Sequence, residues 1–418
     1  MTHYDHIIVG GGIIGCSIAY HLVREGAGSV LVLERNELAS AASSRAAGLI
    51  LQVTTKPSKT ALAQRTRETI PRLEDELGED IGFHAVGSLR IAASDQRMTE
   101  LQTMERDASE RNIPCQRLTP IQATAMAPWL KPPDDSDILY MPSDGYVDPY
   151  QLSMAYARAA RSRGAKIRTQ VAVTGLEMEN HRVTGIKTSD GNISASTVID
   201  AAGVWAALLA AQVGYPLPFA PVRSHYWITE PAPLYGGDHP VTIMPDAAAY
   251  TRPEVGGLVL GIQEPDCKTF DARDLPDDPN AFSATEGEEH WDILVDGTNA
   301  LQPFFPDVMT ARFSNYISGL SAYTPDGAII LGPVPGVSGF LCAAGCCGSG
   351  VALSAGIGAA ITDLALERDP SFDISPFNPG RFGPIDPFGI DFRGHCAAAR
   401  SAKSRLLPDA AVTSKLQA

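Results

Sequence analysis

The most constraining stretch of the sequence lies at its start. Residues 4–9 form a short β-branched run that reads as a buried parallel strand. Gly10-Gly11-Gly12-Ile13-Ile14-Gly15 follows and fits G-x-G-x-x-G. Ile14, Ile18, Ala19, Leu22 and Val23 then share one helical face, and Gly26 sits where a C-cap is expected. A second strand at 29–33 ends at Glu34, 19 residues after Gly15 and close to the ~20 expected for a ribose-binding acid. Strand, turn, helix, strand and acid in this order predict a Rossmann-like unit that binds a dinucleotide. Gly10 permits the tight turn, Gly12 lets the backbone approach a pyrophosphate, and Gly15 lets the helix pack closely on the sheet. The helix start offers free N–H groups and partial positive charge to the phosphates. Glu34 can accept hydrogen bonds from ribose hydroxyls and disfavours a 2′-phosphate, so NADP fits poorly. The fingerprint alone does not separate NAD from FAD.

Length and composition narrow the field. A chain of 418 residues has room for two to three domains with large cores. Hydrophobic residues at 44% against charged residues at 19% exclude disorder over the whole length. A formal charge of −15 repels phosphate backbones, so nucleic acid is not an expected partner. No run of about 18 apolar residues lacks polar interruption, so no membrane span is expected. Residues 6–23 lack the basic leader and cleavage site of a signal peptide and read as structure. Seven cysteines are too few and odd in number for a disulfide scaffold, which makes a reducing cytoplasm the default location.

Three further segments choose between the dinucleotides. They are Ala42-Ser43-Ser44-Arg45-Ala46-Ala47-Gly48-Leu49, Val198-Ile199-Asp200-Ala201-Ala202-Gly203-Val204-Trp205-Ala206, and Ala344-Gly345-Cys346-Cys347-Gly348-Ser349-Gly350 before an Ala/Gly-rich helix. With these four motifs in this order, the chain resembles the D-amino-acid-oxidase-like FAD superfamily, in its sarcosine oxidase, dimethylglycine dehydrogenase and glycine oxidase branch. The Gly-Tyr-Val-Asp-Pro run at 145–149 and Tyr323-Thr324-Pro325-Asp326-Gly327 fit the same pattern, and the resemblance covers about residues 4–382.

The resemblance implies an α/β and α+β architecture. A Rossmann-like FAD-binding domain (1–82, 142–215 and 320–380) interleaves with a substrate domain (83–141 and 216–319) built on a mostly antiparallel sheet. Local patterns agree: 148–163 read as a helix, and 167–174, 182–188 and 197–200 as strands, with Asp190-Gly191 as a turn. Residues 231–240 and 271–289 read as loops. The C-terminal extension 381–418 carries Arg393, Arg400, Lys403 and Arg405 and reads as solvated or loosely packed, with partner docking as the alternative.

The resemblance also implies the chemistry: oxidation of an amine, with hydride leaving the carbon beside nitrogen for flavin N5 and an imine then hydrolysed by water. It implies FAD contacts from Gly10, Gly12, Ile13, Ile14, Gly15, Glu34 and Arg35, from Ser43, Ser44, Arg45, Ala47, Gly48 and Leu49, and from Val173, Ala202, Gly203 and Trp205. The third motif adds Gly345, Gly348, Ser349, Gly350 and Val351, whose glycines allow close approach and whose helix dipole faces the negative charge that develops on the flavin. Relatives that bond FAD covalently use a histidine where Arg45 stands, or a cysteine where Gly319 stands, so non-covalent FAD is expected. Cys346 and Cys347 lack further ligands at metal spacing and read as compact filler, with no metal expected.

Several family positions are changed. Gln52, Ala352 and Ser321 occupy places where relatives hold a substrate carboxylate, leaving Arg45, Arg223 or Arg252 as substitutes, or no carboxylate at that place. Val259 stands where a relative's lysine assists oxygen reduction, which favours a dehydrogenase; the acceptor is left open between oxygen and a carrier. His225, Tyr226, Trp227, Tyr250, Arg252 and Tyr323 are the pocket candidates, with His225, Tyr250, Arg252 and Tyr323 the catalytic ones. Alternation puts His225 and Trp227 on one face of their strand and Tyr226 on the other, so both sets cannot reach one ligand from a straight strand. The expected substrate is a secondary or tertiary amine of N-methyl or N-carboxymethyl amino-acid type. The alternatives are a 2-hydroxy-acid or polyol-phosphate dehydrogenase, for which His225 would be the base, and an FAD-carrying subunit of a hetero-oligomeric amine oxidase. A homo-oligomer is equally compatible with the sequence.

Overall fold

A computed structural model describes residues 2–403. The N-terminal strand His3–Val9 lies inside a largely parallel sheet, between Val30–Leu33 and Gly191–Asp200. The sheet continues through Lys166–Arg168 on one side and Phe340–Ala344 and Ile330–Pro333 on the other. Its strands are apolar on both faces because both are covered. Ile8, Val32 and Ile199 face a helical layer of Ile13–Arg24, Thr60–Leu77, Pro149–Ser162 and Gly350–Ala365. Ile7, Val9, Leu33 and Val198 face the short helix Ala206–Ala211 and its neighbours. The small residues of Gly350–Ala365 have a packing reason. A Cβ on Gly356 would lie 2.3 Å from the Leu62 backbone, so only glycine lets these helices approach so closely.

The second sheet runs Phe313–Tyr323, Ala220–Thr229, Gly257–Ile262, Ala249–Glu254, Val241–Met244, Ser88–Ala92, Asp137–Met141 and Gln116–Leu118. All its pairings are antiparallel except Val241–Met244 with Ser88–Ala92, as a mostly antiparallel sheet requires. Trp129, Trp227, Leu260 and Phe305 fill its core beneath the helix Glu289–Leu301. The chain thus visits each sheet more than once, which is the interleaving expected. Phe313–Tyr323 pairs with Ala220–Thr229 along its whole length, from Phe313↔Thr229 to Tyr323↔Ala220. Among the described residues, no helix is long and apolar enough to cross a membrane.

Two local expectations need correction. Residues 167–174 are not one strand: Lys166–Arg168 and Val173–Glu179 are separate, and between them Gln170 adopts φ +60° while Val171 N–H donates to Glu34 O at 3.0 Å. Nor is the C-terminal extension loosely packed as far as residue 403. It forms the helix Ile390–Ser401, whose Phe392, Cys396 and Ala399 recur at i, i+4 and i+7 and are buried. Phe392 and Cys396 pack on Ala220, Val222, Tyr323 and Cys347. Arg405 lies outside the described residues.

Candidate active site

The glycine loop is held by the residues that the spacing singled out. Gly10 adopts φ +108°, and a Cβ there would sit 2.4 Å from Ala201 O. A Cβ on Gly15 would fall 1.9 Å from Gly10 O, so the first helix can start this close to the strand only without a side chain. Glu34 braces the loop, its two carboxylate oxygens accepting from Gly11 N–H and Asn36 N–H, each at 2.8 Å. Ser43 Oγ accepts from Ile13 N–H at 3.0 Å, which ties the second motif to the helix start. The Arg35 guanidinium stacks over the Trp205 ring at 4.0 Å and pairs with Asp277 at 2.6 Å.

The third motif turns by the same means. Gly345, Cys347 and Gly348 adopt φ of +59°, +50° and +68° before the helix Gly350–Ala365. Cys347 N–H donates to Ala322 O at 2.9 Å, and its thiol to Gly345 O at 3.1 Å, fixing the turn against the end of Phe313–Tyr323. All seven cysteines are free thiols, and burial pushes Cys346 up to about 12. Two lysines stand here: Lys59 Nζ donates to Gly327 O at 2.8 Å, and Lys403 Nζ to Gly348 O at 3.4 Å, and burial lowers both ammonium groups, Lys403 to about 7.

Between these elements lies a continuous cavity of about 1240 Å³, larger than the ~300–1,000 Å³ of ordinary ligand pockets. Gly10, Gly12, Ile13, Ile14, Glu34 and Arg35 line it. So do Ser43, Arg45, Ala47, Gly48 and Leu49, and Val173, Ala202, Gly203 and Trp205. Gly345, Gly348, Ser349, Gly350 and Val351 complete this lining, with Gly350 beside Ile14. Gly15 and Ser44 are not on the wall. The Arg45 chain lies against Gly319, its Cδ 2.9 Å from where a Cβ would stand.

At the sheet end, His225, Tyr226, Tyr250 and Tyr323 reach the wall. His225 and Trp227 do share a face, with rings 4.9 Å apart. His225 and Tyr226 both line this one large cavity although they alternate along their strand. Burial, and then the Arg400 and Arg223 guanidiniums, push His225 down to about 3.

The three substitute carboxylate clamps are otherwise engaged. Arg252 lies off the cavity wall, donating Nε to Ala47 O and Nη1 to Pro253 O, both at 2.6 Å, and pairing with Glu254. Arg223 forks onto Glu264 and reaches Glu289 at 2.6 Å. Arg45 donates Nη1 to Ser40 O and Ala41 O and Nη2 to Asn280 Oδ1. The sequence reading missed Lys59 and Arg400 as cavity residues. No local pattern marks either, since only tertiary packing brings them there.

The family model for FAD dependent oxidoreductases matches residues 5–364. The chain belongs to this family. The cradle suits the coenzyme of this FAD-dependent family: Gly10, where a Cβ would meet Ala201 O at 2.4 Å, lines the same cavity as Gly12 and the third motif. Mitochondrial dimethylglycine dehydrogenase from Rattus norvegicus is 30% identical over 391 residues, covering 91% of this chain and 45% of that protein. The 4-methylaminobutanoate oxidase (formaldehyde-forming) of Paenarthrobacter nicotinovorans is 31% identical over 384 residues, 91% and 46% of the two chains. The chain therefore spans a little under half the length of these relatives. The crystal structure of glycine oxidase from Geobacillus kaustophilus superposes with a TM-score of 0.76 at 26% identity, covering 92% of this chain and all of that one.

Proposed function

We propose that this FAD-dependent oxidoreductase oxidises a secondary or tertiary amine of N-methyl or N-carboxymethyl amino-acid type to an imine, which water then hydrolyses. FAD, when bound, supplies the hydride acceptor. The reading assigns the adenosine and pyrophosphate to the Gly10–Gly15 loop, Glu34 and the Ser43 segment, and the reactive end to the turn at 345–350. There the helix start and Lys59 favour negative charge. The choice of amine is carried by the named activities of the relatives above, and the burial of His225 agrees with it. Held down to about 3, this histidine is neutral at working pH but too weak a base to take a hydroxyl proton. An alcohol needs that base, whereas a neutral amine gives up hydride without it. The tyrosines around it, Tyr226, Tyr250 and Tyr323, each have a phenol raised by burial, so none serves as a base in its place. The named activities of the relatives above, on dimethylglycine and 4-methylaminobutanoate, are of the same class.

The test is anaerobic mixing of the yellow protein with N-methylglycine, N,N-dimethylglycine and lactate. Bleaching by an amine and not by lactate is expected; bleaching by lactate alone overturns the reading. The FAD is held non-covalently, with Arg45 and Gly319 unable to form the family's bonds, so acid precipitation should release all the colour. Colour kept in the pellet refutes that part.

A further inference from the structure

The cavity contains a buried guanidinium that the chain itself leaves incompletely bonded. Arg400 sits near the end of the helix Ile390–Ser401 and is 6% exposed. Its Nε donates to Ser224 Oγ at 3.3 Å, and its guanidinium lies 5.9 Å from the centre of the Tyr323 ring. Nη1 is buried, and among the described residues it meets no acceptor. No carboxylate pairs with Arg400 among them; the nearest acid acting on it, Glu264, is already gripped by Arg223. A buried guanidinium donor without a partner is costly, and the cavity it lines is where a partner can enter.

The other arginines on this wall have partners: Arg35, whose Nη2 is also unpartnered among the described residues, pairs with Asp277 at 2.6 Å, and Arg45 donates to Ser40 O and Asn280 Oδ1. Arg97 is paired with Glu100 at 2.6 Å. Arg90 also has a free Nε among the described residues, but it donates to Val53 O and Asp144 counters its charge. Arg400 differs in lying beside Ser224, His225 and Tyr323, at the end of the cavity next to the 345–350 turn. Lys403, one turn further along, donates to Gly348 O at 3.4 Å, and burial pushes its ammonium down to about 7.

We propose that Arg400 anchors the carboxylate of the substrate, so that the C-terminal helix, beyond the residues shared with the family model, confers the requirement for an acidic substrate. This rests on the amine-oxidation reading for the identity of the ligand, but not for the site. The guanidinium presents Nη1 to one carboxylate oxygen, while its Nε stays fixed by Ser224. The carboxylate is then held beside Ser224 and Tyr323.

The test titrates propanoate, which cannot be oxidised as an amine, into the FAD-loaded protein and follows the perturbation of the flavin spectrum. In Arg400→Met, propanoate should bind roughly 30-fold or more weakly, the loss expected when one partner of a buried charged hydrogen bond is removed. The concentration of N-methylglycine that half-reduces the flavin should rise by a similar factor, with N-methylethylamine, which lacks the carboxylate, unchanged. Arg400→Lys, which keeps the charge and loses the fork, should fall between. Arg90→Met should bind propanoate as the wild type does. Wild-type propanoate affinity in both Arg400 variants overturns the proposal, as does loss of affinity in Arg90→Met alone or failure of the wild type to bind propanoate. If no amine bleaches the flavin yet the Arg400 variants lose propanoate, the anchor stands and the amine reading falls.

Discussion

Replacing Arg223 by Met separates a structural arginine from a ligand-binding one. Its side chain is 3% exposed and Glu264 5%, so neither charge can turn to water when the other is lost. Two bonds join the pair, Nε to Oε1 at 2.9 Å and Nη2 to Oε2. Nη1 also reaches Glu289 Oε1 at 2.6 Å and Ala284 O at 3.3 Å. Removing one member of such a buried pair costs about 3–5 kcal/mol, chiefly because Glu264 stays behind uncompensated. Glu289 is 26% exposed and keeps Lys268 at 2.8 Å, so its share is small, about 0–1 kcal/mol. Chemical unfolding of the FAD-loaded protein should therefore register a loss of about 3–5 kcal/mol, with propanoate affinity kept. Arg223→Met with Glu264→Leu should recover most of it, since apolar side chains of similar volume pack without the desolvation cost. Should the single variant stay within about 1 kcal/mol of wild type while losing propanoate affinity, the assignment of Arg223 to structure is refuted.

Three further outcomes can be checked. Gly15→Ala must displace the first helix or the loop, because its Cβ would fall 1.9 Å from Gly10 O; FAD affinity measured by flavin fluorescence should drop about tenfold or more, and unchanged affinity would count against the cradle. His225, pushed down to about 3, stays neutral above about pH 4, so kcat/KM should show no inflection of its own between pH 5 and 8; a step near pH 6.5 that vanishes in His225→Gln contradicts this. Burial raises Asp200 to about 8, with only Ala202 N–H at 3.1 Å opposing it. A carboxyl whose folded value is raised contributes stability at low pH that is lost as pH climbs from about 4 to about 8. Asp200→Asn lacks that loss, so its advantage over wild type should grow by about 1.4 kcal/mol per pH unit across the window and level off above it. A gap independent of pH would show Asp200 to be ionised.

What the sequence disclosed and what it hid divide along one physical line. The turn at 10–15, Glu34 and the 345–350 turn are local: spacing and glycine content fix them, and the structure brings them to one cavity. The ion pair of Arg223 is hidden in the sequence because its partner Glu264 lies 41 residues away, just past the strand Gly257–Ile262. The break at Gln170 was invisible because a left-handed glutamine carries no turn signature. The C-terminal segment misled most. Its charges suggested solvent, yet Phe392, Cys396 and Ala399 form a seam that seats the helix. The distant strands that this seam meets are not visible from its own sequence.

That helix lies beyond the residues matched by the family model, and it closes a chamber whose coenzyme cradle begins at residue 10. If Arg400 selects the substrate, changes in that helix alter the wall it forms while the glycine loop and Glu34 stay as they are. Two enzymes identical through residue 364 and different after it could share a coenzyme and burn different molecules.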